Sequence, residues 1–457
     1  MKHYSTLAII LLATILLSSC DSFTEVDAPQ TQITSSAVFE EKSSANAALS
    51  DIYSRIREEG VVTGNIPGGT LLLANYGDDL QFYGTNVNIE QFAKHTLLPS
   101  NTYINTLWRT TYSHIYATNA FLEGMRASVN ITGEDHDRFI GEALFIRAFL
   151  HFYLVNMYGQ IPYVKTTDYA FNSTISKATI PEVYHQILAD LTEARLLIPD
   201  TYPTAEPVRP NKAVVTAMLA RVYLYIQDWQ NAADNASTVI NNKRYSWQND
   251  PAAEFLKVNQ AIIWALHPGI AGLNTRDARN FVFTSGPPSR STLSPDLLNA
   301  FETGDLRKAL WVKKITTKNE SWYHANKYKL TTNTGTSAEY TILFRLAELY
   351  LIRAESRAKL NNLEGAKEDI NKIRNRAGLP NTNAVTQEEV LTAIAQERRL
   401  ELFTEQGHRF FDLKRTGKAD AVLSLTKPNW NSNHIALPLP ENELLLNDNL
   451  LPQNTGY

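Results

Sequence analysis

Two segments of this chain repeat one pattern. In the first, Ala220 and Tyr223 are followed by Asp228-Trp229 and then by Ala232, Ala236 and Val239. In the second, Ala354 is followed by Asn361-Asn362 and then by Ala366, Ile370 and Ile373. The small residues stand at the same offset, Ala220 to Ala232 and Ala354 to Ala366. Small residues let two helix backbones approach closely, and larger residues at helical spacing close the contact. Each segment therefore predicts a helix, a short polar turn and a second helix. A hairpin of this kind cannot bury its outer face alone, so several stacked hairpins are expected.

The offset is that of a tetratricopeptide hairpin. The expected fold is mainly α, with tetratricopeptide-like stacked helical hairpins and an irregular inserted region containing short strands. Ala45, Ala48, Leu49, Ile52, Tyr53 and Ile56 recur at helical spacing between Ala37 and Arg57. Ile104 to Met125 predicts a helix with Leu107, Trp108, Tyr112, Ile115 and Tyr116 near one face. Asp135 to Tyr158 predicts an aromatic-rich helix ended by Gly159 and Pro162, and Pro181 suits the first turn of a helix reaching Ile198. From about 245 to 338 helical periodicity fades, and Pro268-Gly269, Gly286-Pro287-Pro288 and Asn333-Thr334-Gly335 interrupt the chain. Ile262 to Leu266 reads as a short buried strand. Irregular segments on a rigid scaffold are where binding residues usually lie.

The N-terminus reads as a targeting segment. Lys2 and His3 precede an apolar run from Leu7 to Leu17, then Ser18, Ser19 and Cys20. The run is too short to span a bilayer and has the anatomy of a secretory signal. Cys20 is the only cysteine among 457 residues, which excludes an internal disulfide and a cysteine-based metal cluster. Leu17-Ser-Ser-Cys20 resembles a lipobox. That implies a lipoprotein signal peptide over 1–19, a mature chain over 20–457 and lipid attachment at Cys20. The acidic stretch from Asp21 to Asp27 resembles the surface-export signal of Bacteroidetes lipoproteins. No later segment is expected to cross the membrane, so the lipid is the expected membrane attachment. The net charge of -4 gives no basic footprint for nucleic acid.

Four segments carry a family resemblance. They are the run from Ala143 to Tyr163 with its Tyr158-Gly159 and Pro162 turn; Phe344 to Glu355 with Ile373 to Leu379; Glu397 to Glu401 with Glu405 to Arg409 and Asp412 to Arg415; and Leu437 to Pro440 with Glu443 and Gln453 to Tyr457. In this order they resemble the SusD/RagB family of nutrient-binding outer-membrane lipoproteins. The resemblance implies a surface-exposed, lipid-anchored protein that binds a glycan or oligosaccharide. It also implies a partner, a SusC-like TonB-dependent transporter over which the protein sits as a lid.

The residues give little support to catalysis. There is no Gly-x-Ser-x-Gly elbow, no His-Glu-x-x-His helix and no Walker loop. Glu397, Arg398, Glu401, Glu405, Arg409 and Asp412 lie at helical or near-helical spacing, and their opposite charges predict ion pairs. No catalytic residue, metal or cofactor is expected. A sugar ring is held by stacking on an aromatic face and by hydrogen bonds to its hydroxyls, so the candidates are aromatics outside helical periodicity with polar neighbours. The first cluster is Tyr76, Asp78, Asp79, Phe82 and Tyr83. The second is Trp322-Tyr323-His324 with Asn326, and the third Asn274, Arg276 and Arg279, with Trp430 in an Asn-rich loop. The competing readings are a peptide-binding protein of RagB type, a surface glycosidase using two carboxylates, and a tetratricopeptide adaptor.

Overall fold

The computed structural model describes residues 37–62, 64–65 and 68–457. The signal peptide read over 1–19, Cys20 and the acidic stretch after it lie outside the described residues. The helices in chain order are α1 (Lys42–Glu58), α2 (Gly69–Tyr76), α3 (Val87–Lys94), α4 (Thr102–Ala127), α5 (Gly133–Tyr158), α6 (Tyr169–Asn172), α7 (Ile180–Leu197), α8 (Lys212–Tyr225), α9 (Trp229–Ile240), α10 (Arg276–Phe281), α11 (Pro295–Ala300), α12 (Leu306–Trp311), α13 (Leu346–Lys359), α14 (Leu363–Arg376), α15 (Gln387–Leu402), α16 (His408–Arg415), α17 (Ala419–Thr426) and α18 (Glu441–Leu446). The strands are β1 (Leu80–Phe82), β2 (Ile262–Leu266), β3 (Ser291–Leu293), β4 (Val312–Thr317), β5 (Glu320–Ala325) and β6 (Thr341–Arg345).

The two repeats form the hairpins α8–α9 and α13–α14, and Ala220, Ala232, Ala354 and Ala366 are fully buried in them. The correspondence extends into the turns. Gln227 and Asn361 both adopt a left-handed conformation, with φ of 64° and 62°. The next residues, Asp228 and Asn362, each cap the second helix by accepting a backbone N–H. The hairpins lie far apart in sequence, yet α9 packs directly on α13. Arg221 of α8 reaches across to Glu348 of α13, its Nε 2.6 Å from Oε1. Helices α1, α4, α5 and α7 extend the stack on one side and α15 on the other.

Helix α5 is the centre of the core. It is buried on every side from Phe139 to Tyr158, and Phe145 and Phe149 meet Trp264 edge to face. Against expectation, its length and composition would suffice to cross a membrane, but in the fold it is enclosed by other helices. Gly159, at φ 79°, ends it in a conformation that suits glycine. Tyr116 departs from the sequence reading of α4, because it lies off the buried stripe and is exposed.

The stretch from 245 to 338 holds more regular structure than its composition suggests. β2 forms as read, pairs antiparallel with β6 and is buried throughout. β4 and β5 form a hairpin that the sequence reading missed. Its turn residues, Lys318 and Asn319, both have positive φ, the geometry of a tight two-residue turn, but no glycine marks it.

The charged residues of the C-terminal motifs form the expected buried ion pairs, most of them with residues of neighbouring elements and not with one another. Glu401 receives Arg345 and Arg376, Glu397 receives Arg307 and Arg374, Glu405 receives Arg345 and Lys327, and Asp412 receives Arg398 and Arg415. Burial would raise the Glu401 carboxyl, but Arg376, Arg345 and Arg307 outweigh it and hold the group far below the usual carboxylate range. A carboxylate so fully paired holds neighbouring elements together and has no free proton to give.

Candidate glycan-binding cleft

The candidate site is built where β1, β3 and β5 meet. β1 and β3 pair antiparallel, with Gln81 opposite Thr292 and Phe82 opposite Ser291. The ladder continues as Tyr83 N–H donates to Arg290 O at 2.7 Å. Thr292 then ties β5 alongside: its hydroxyl donates to Tyr323 O at 2.6 Å and accepts from Tyr323 N–H at 2.9 Å. Strands pointing successive side chains to opposite faces put Gln81 and Tyr83 together and turn Phe82 away.

The result is an open cleft of about 550 Å³. Its walls include Gln81, Tyr83, Thr292, Leu298, Asn299, Lys308, Glu320, Trp322 and Tyr323. The rings of Tyr83 and Trp322 meet edge to face, centroids 4.6 Å apart. Tyr83 is 41% exposed. Trp322 and Tyr323 are half-buried. The indole Nε1 of Trp322 is buried without an acceptor among the described residues. Gly286 lies against the indole, where a Cβ would stand 1.9 Å from Trp322 Cδ1. The cleft thus combines aromatic surface, two carboxamides and one charge of each sign. That set can stack on a sugar ring and hydrogen-bond to its hydroxyls.

Of the residues singled out from sequence, Tyr83, Trp322 and Tyr323 come together here. The expectation for Tyr76, Asp78 and Asp79 is corrected by their burial. Tyr76 is fully enclosed; its ring meets Phe410 edge to face and its hydroxyl donates to His434 O at 2.8 Å. Asp78 is held by Arg399 and Arg409. Asp79 accepts the Thr404 N–H at 2.9 Å, and burial, with Asp78 adding to it, pushes its carboxyl up to about 6. Asn274 is also buried, where it accepts from Ala338 and Glu339 N–H and braces the 274–339 loops. Arg276 is paired with Glu58. Phe82 folds back over Gly84. Trp430 is half-buried, and its indole N–H donates to Asp420 at 2.8 Å. None of these seven residues lines the cleft. The sequence reading missed Asn299, Lys308 and Glu320, which carry no local signal, whereas Gln81 lies within its first cluster without being singled out there.

The chain matches two family profiles, one described as "Starch-binding associating with outer membrane" over residues 28–224 and the other as "SusD family" over residues 310–457. Together these matches cover most of the chain and define a class of proteins described as starch-binding and associated with the outer membrane. The chain belongs to the SusD family. SusD-like protein P2 of Formosa agariphila is 28% identical over 530 residues, covering 100% of both chains. A SusD superfamily protein from Bacteroides vulgatus superposes with a TM-score of 0.81 at 20% identity, covering 92% of this chain and 100% of its own. A laminarin-binding SusD-like protein superposes with a TM-score of 0.77 at 24% identity, covering 92% of this chain and 100% of its own.

Proposed function

We propose that this protein is a surface-exposed lipoprotein, anchored in the outer membrane through Cys20, that captures an oligosaccharide and delivers it to a SusC-like TonB-dependent transporter without altering it chemically. The observation that carries the capture step is the cleft in which Tyr83, Trp322 and Tyr323 stand among Gln81 and Asn299. Stacking surface plus carboxamides suits a sugar better than a peptide, which would call for a long groove with backbone partners. The fold's likeness to a laminarin-binding protein adds support. The anchor rests on the placement of the single cysteine after the apolar run. Transport partnership rests on family membership.

A binding screen of the purified protein against glycans and peptides tests the reading. We expect retention of at least one glycan, weakened when Trp322 is changed to Ala. Retention of peptides alone would overturn the glycan assignment, and turnover of a bound glycan would overturn the non-catalytic one.

A further inference from the structure

A second cleft shares no lining residue with the first. It opens between α13, α15, α16 and α17, beside the turn at Gln227 to Trp229, and encloses about 530 Å³. Its apolar surface comes from Trp229, Leu391, Ala395, Leu413 and Val422. Four arginines also line it: Arg398, Arg399, Arg409 and Arg415.

These guanidiniums outnumber their carboxylates. Asp412 is shared by Arg398 and Arg415, each Nε 2.8 Å from a carboxylate oxygen. Asp78 is shared by Arg399 at 2.8 Å and Arg409 at 2.5 Å. Glu355 takes a second edge of Arg415 at 2.6 Å. Three carboxylates therefore serve four cations. Asp79 also lies near Arg399 and Arg409, but it and Asp78 face the buried Lys427 ammonium as well, so counting both still leaves four carboxylates to five cations. Arg398 Nη1 and Arg399 Nε are buried with no acceptor among the described residues. Arg398 itself is 2% exposed. Lys359 and Lys418 add positive charge to the lining, and Glu388 offsets one of them.

Buried guanidinium N–H groups without acceptors are costly, and the cost is relieved by an anion. The cleft volume falls within the range of small-molecule sites. We propose that this cleft binds a small organic carboxylate with an apolar body. The carboxylate supplies the missing negative charge at the arginine cluster, and the apolar body covers Trp229, Leu391 and Val422. An alcohol of the same body leaves the charge excess in place, and an amine adds to it. This site is independent of the glycan reading.

The test compares hexanoate, hexanol and hexylamine by ligand-observed saturation-transfer NMR with the purified protein. We expect hexanoate to bind about tenfold more tightly than hexanol, the fold-change that one charge-assisted hydrogen bond would give, and hexylamine to give no signal. Ala395 is exposed inside the cleft, so Ala395→Trp should fill it and abolish the hexanoate signal. Thr392→Trp, at another exposed lining position, provides the same block if the first variant fails to fold. Trp322→Ala should leave hexanoate binding unchanged. Equal binding of hexanoate and hexanol, absence of hexanoate binding, its persistence in a folded blocking variant, or its loss in Trp322→Ala would each overturn the proposal.

Discussion

The rings of Tyr83 and Trp322 meet at 85° with their centroids 4.6 Å apart, joining the end of β1 to the β4–β5 hairpin. Each ring props the other, so each contributes to the cleft beyond its own contact with a ligand. Tyr83→Ala and Trp322→Ala are each expected to weaken glycan binding by about 0.5–1.5 kcal/mol. The double variant should lose less than the sum, because the first deletion already releases its partner. Titration calorimetry of the single and double variants reads this coupling directly. Strict additivity would mean that the two rings act separately.

Gly286 sets the position of the indole from behind. A methyl group there would meet Trp322 Cδ1 at 1.9 Å, so the side chain must move. Gly286→Ala is therefore expected to reduce glycan affinity nearly as much as Trp322→Ala. The backbone there needs no left-handed conformation, and overpacking of about 1–3 kcal/mol is the expected stability cost. Affinity measured beside a thermal melt separates the two effects. Unchanged affinity in the folded variant would show that the orientation of Trp322 does not matter.

The scaffold was legible in the sequence because its signals are local. Ala220 with Ala232, and Ala354 with Ala366, sit within single hairpins, and Asp228 and Asn362 mark their turns. The cleft was legible only in part. Trp322 and Tyr323 stood out as aromatics outside helical periodicity. Gln81, Asn299 and Lys308 are ordinary surface residues until β1–β3 pairing and the hairpin gather them. Asp78 misled for the converse reason. Its partners Arg399 and Arg409 lie 321 and 331 residues further along, so nothing nearby announces that it is buried and paired.

The link between the two hairpins carries a measurable share of stability. Arg221 Nη2 approaches Glu348 Oε2 at 2.7 Å and donates to Leu343 O at 3.0 Å, and the guanidinium lies over Phe344 at 4.0 Å. Both side chains are almost fully buried. Arg221→Met leaves Glu348 charged and unpaired in the core, so a loss of about 3–5 kcal/mol is expected. Arg221→Met with Glu348→Leu removes both charges and should recover most of that loss. Urea unfolding of the three proteins checks it. A double variant no better than the single would place the cost in lost packing over Phe344 instead.

The pH dependence of stability follows from His151. Its Nδ1–H donates to Arg147 O at 2.8 Å, and Nε2 accepts from Val164 N–H at 3.1 Å. Both nitrogens are thus committed to the neutral ring, which stacks on Tyr163 at 3.9 Å. Burial pushes its pKa down to about 3 from the ordinary 6.5. Above the ordinary value neither folded nor unfolded chain holds a proton there, and the group has no effect. As pH falls below it the unfolded chain gains a proton that the native site refuses, so stability is lost until the folded pKa is reached. Burial lowers His95 to about 3 and His114 and His408 to about 4, and these act in the same direction. His151→Gln removes one such proton. Between about pH 4 and pH 6, its unfolding free energy should therefore rise with pH less steeply than that of the parent, by about 1.36 kcal/mol per pH unit. Parallel slopes for the two proteins would mean that His151 takes its proton as readily in the native fold as in the unfolded chain.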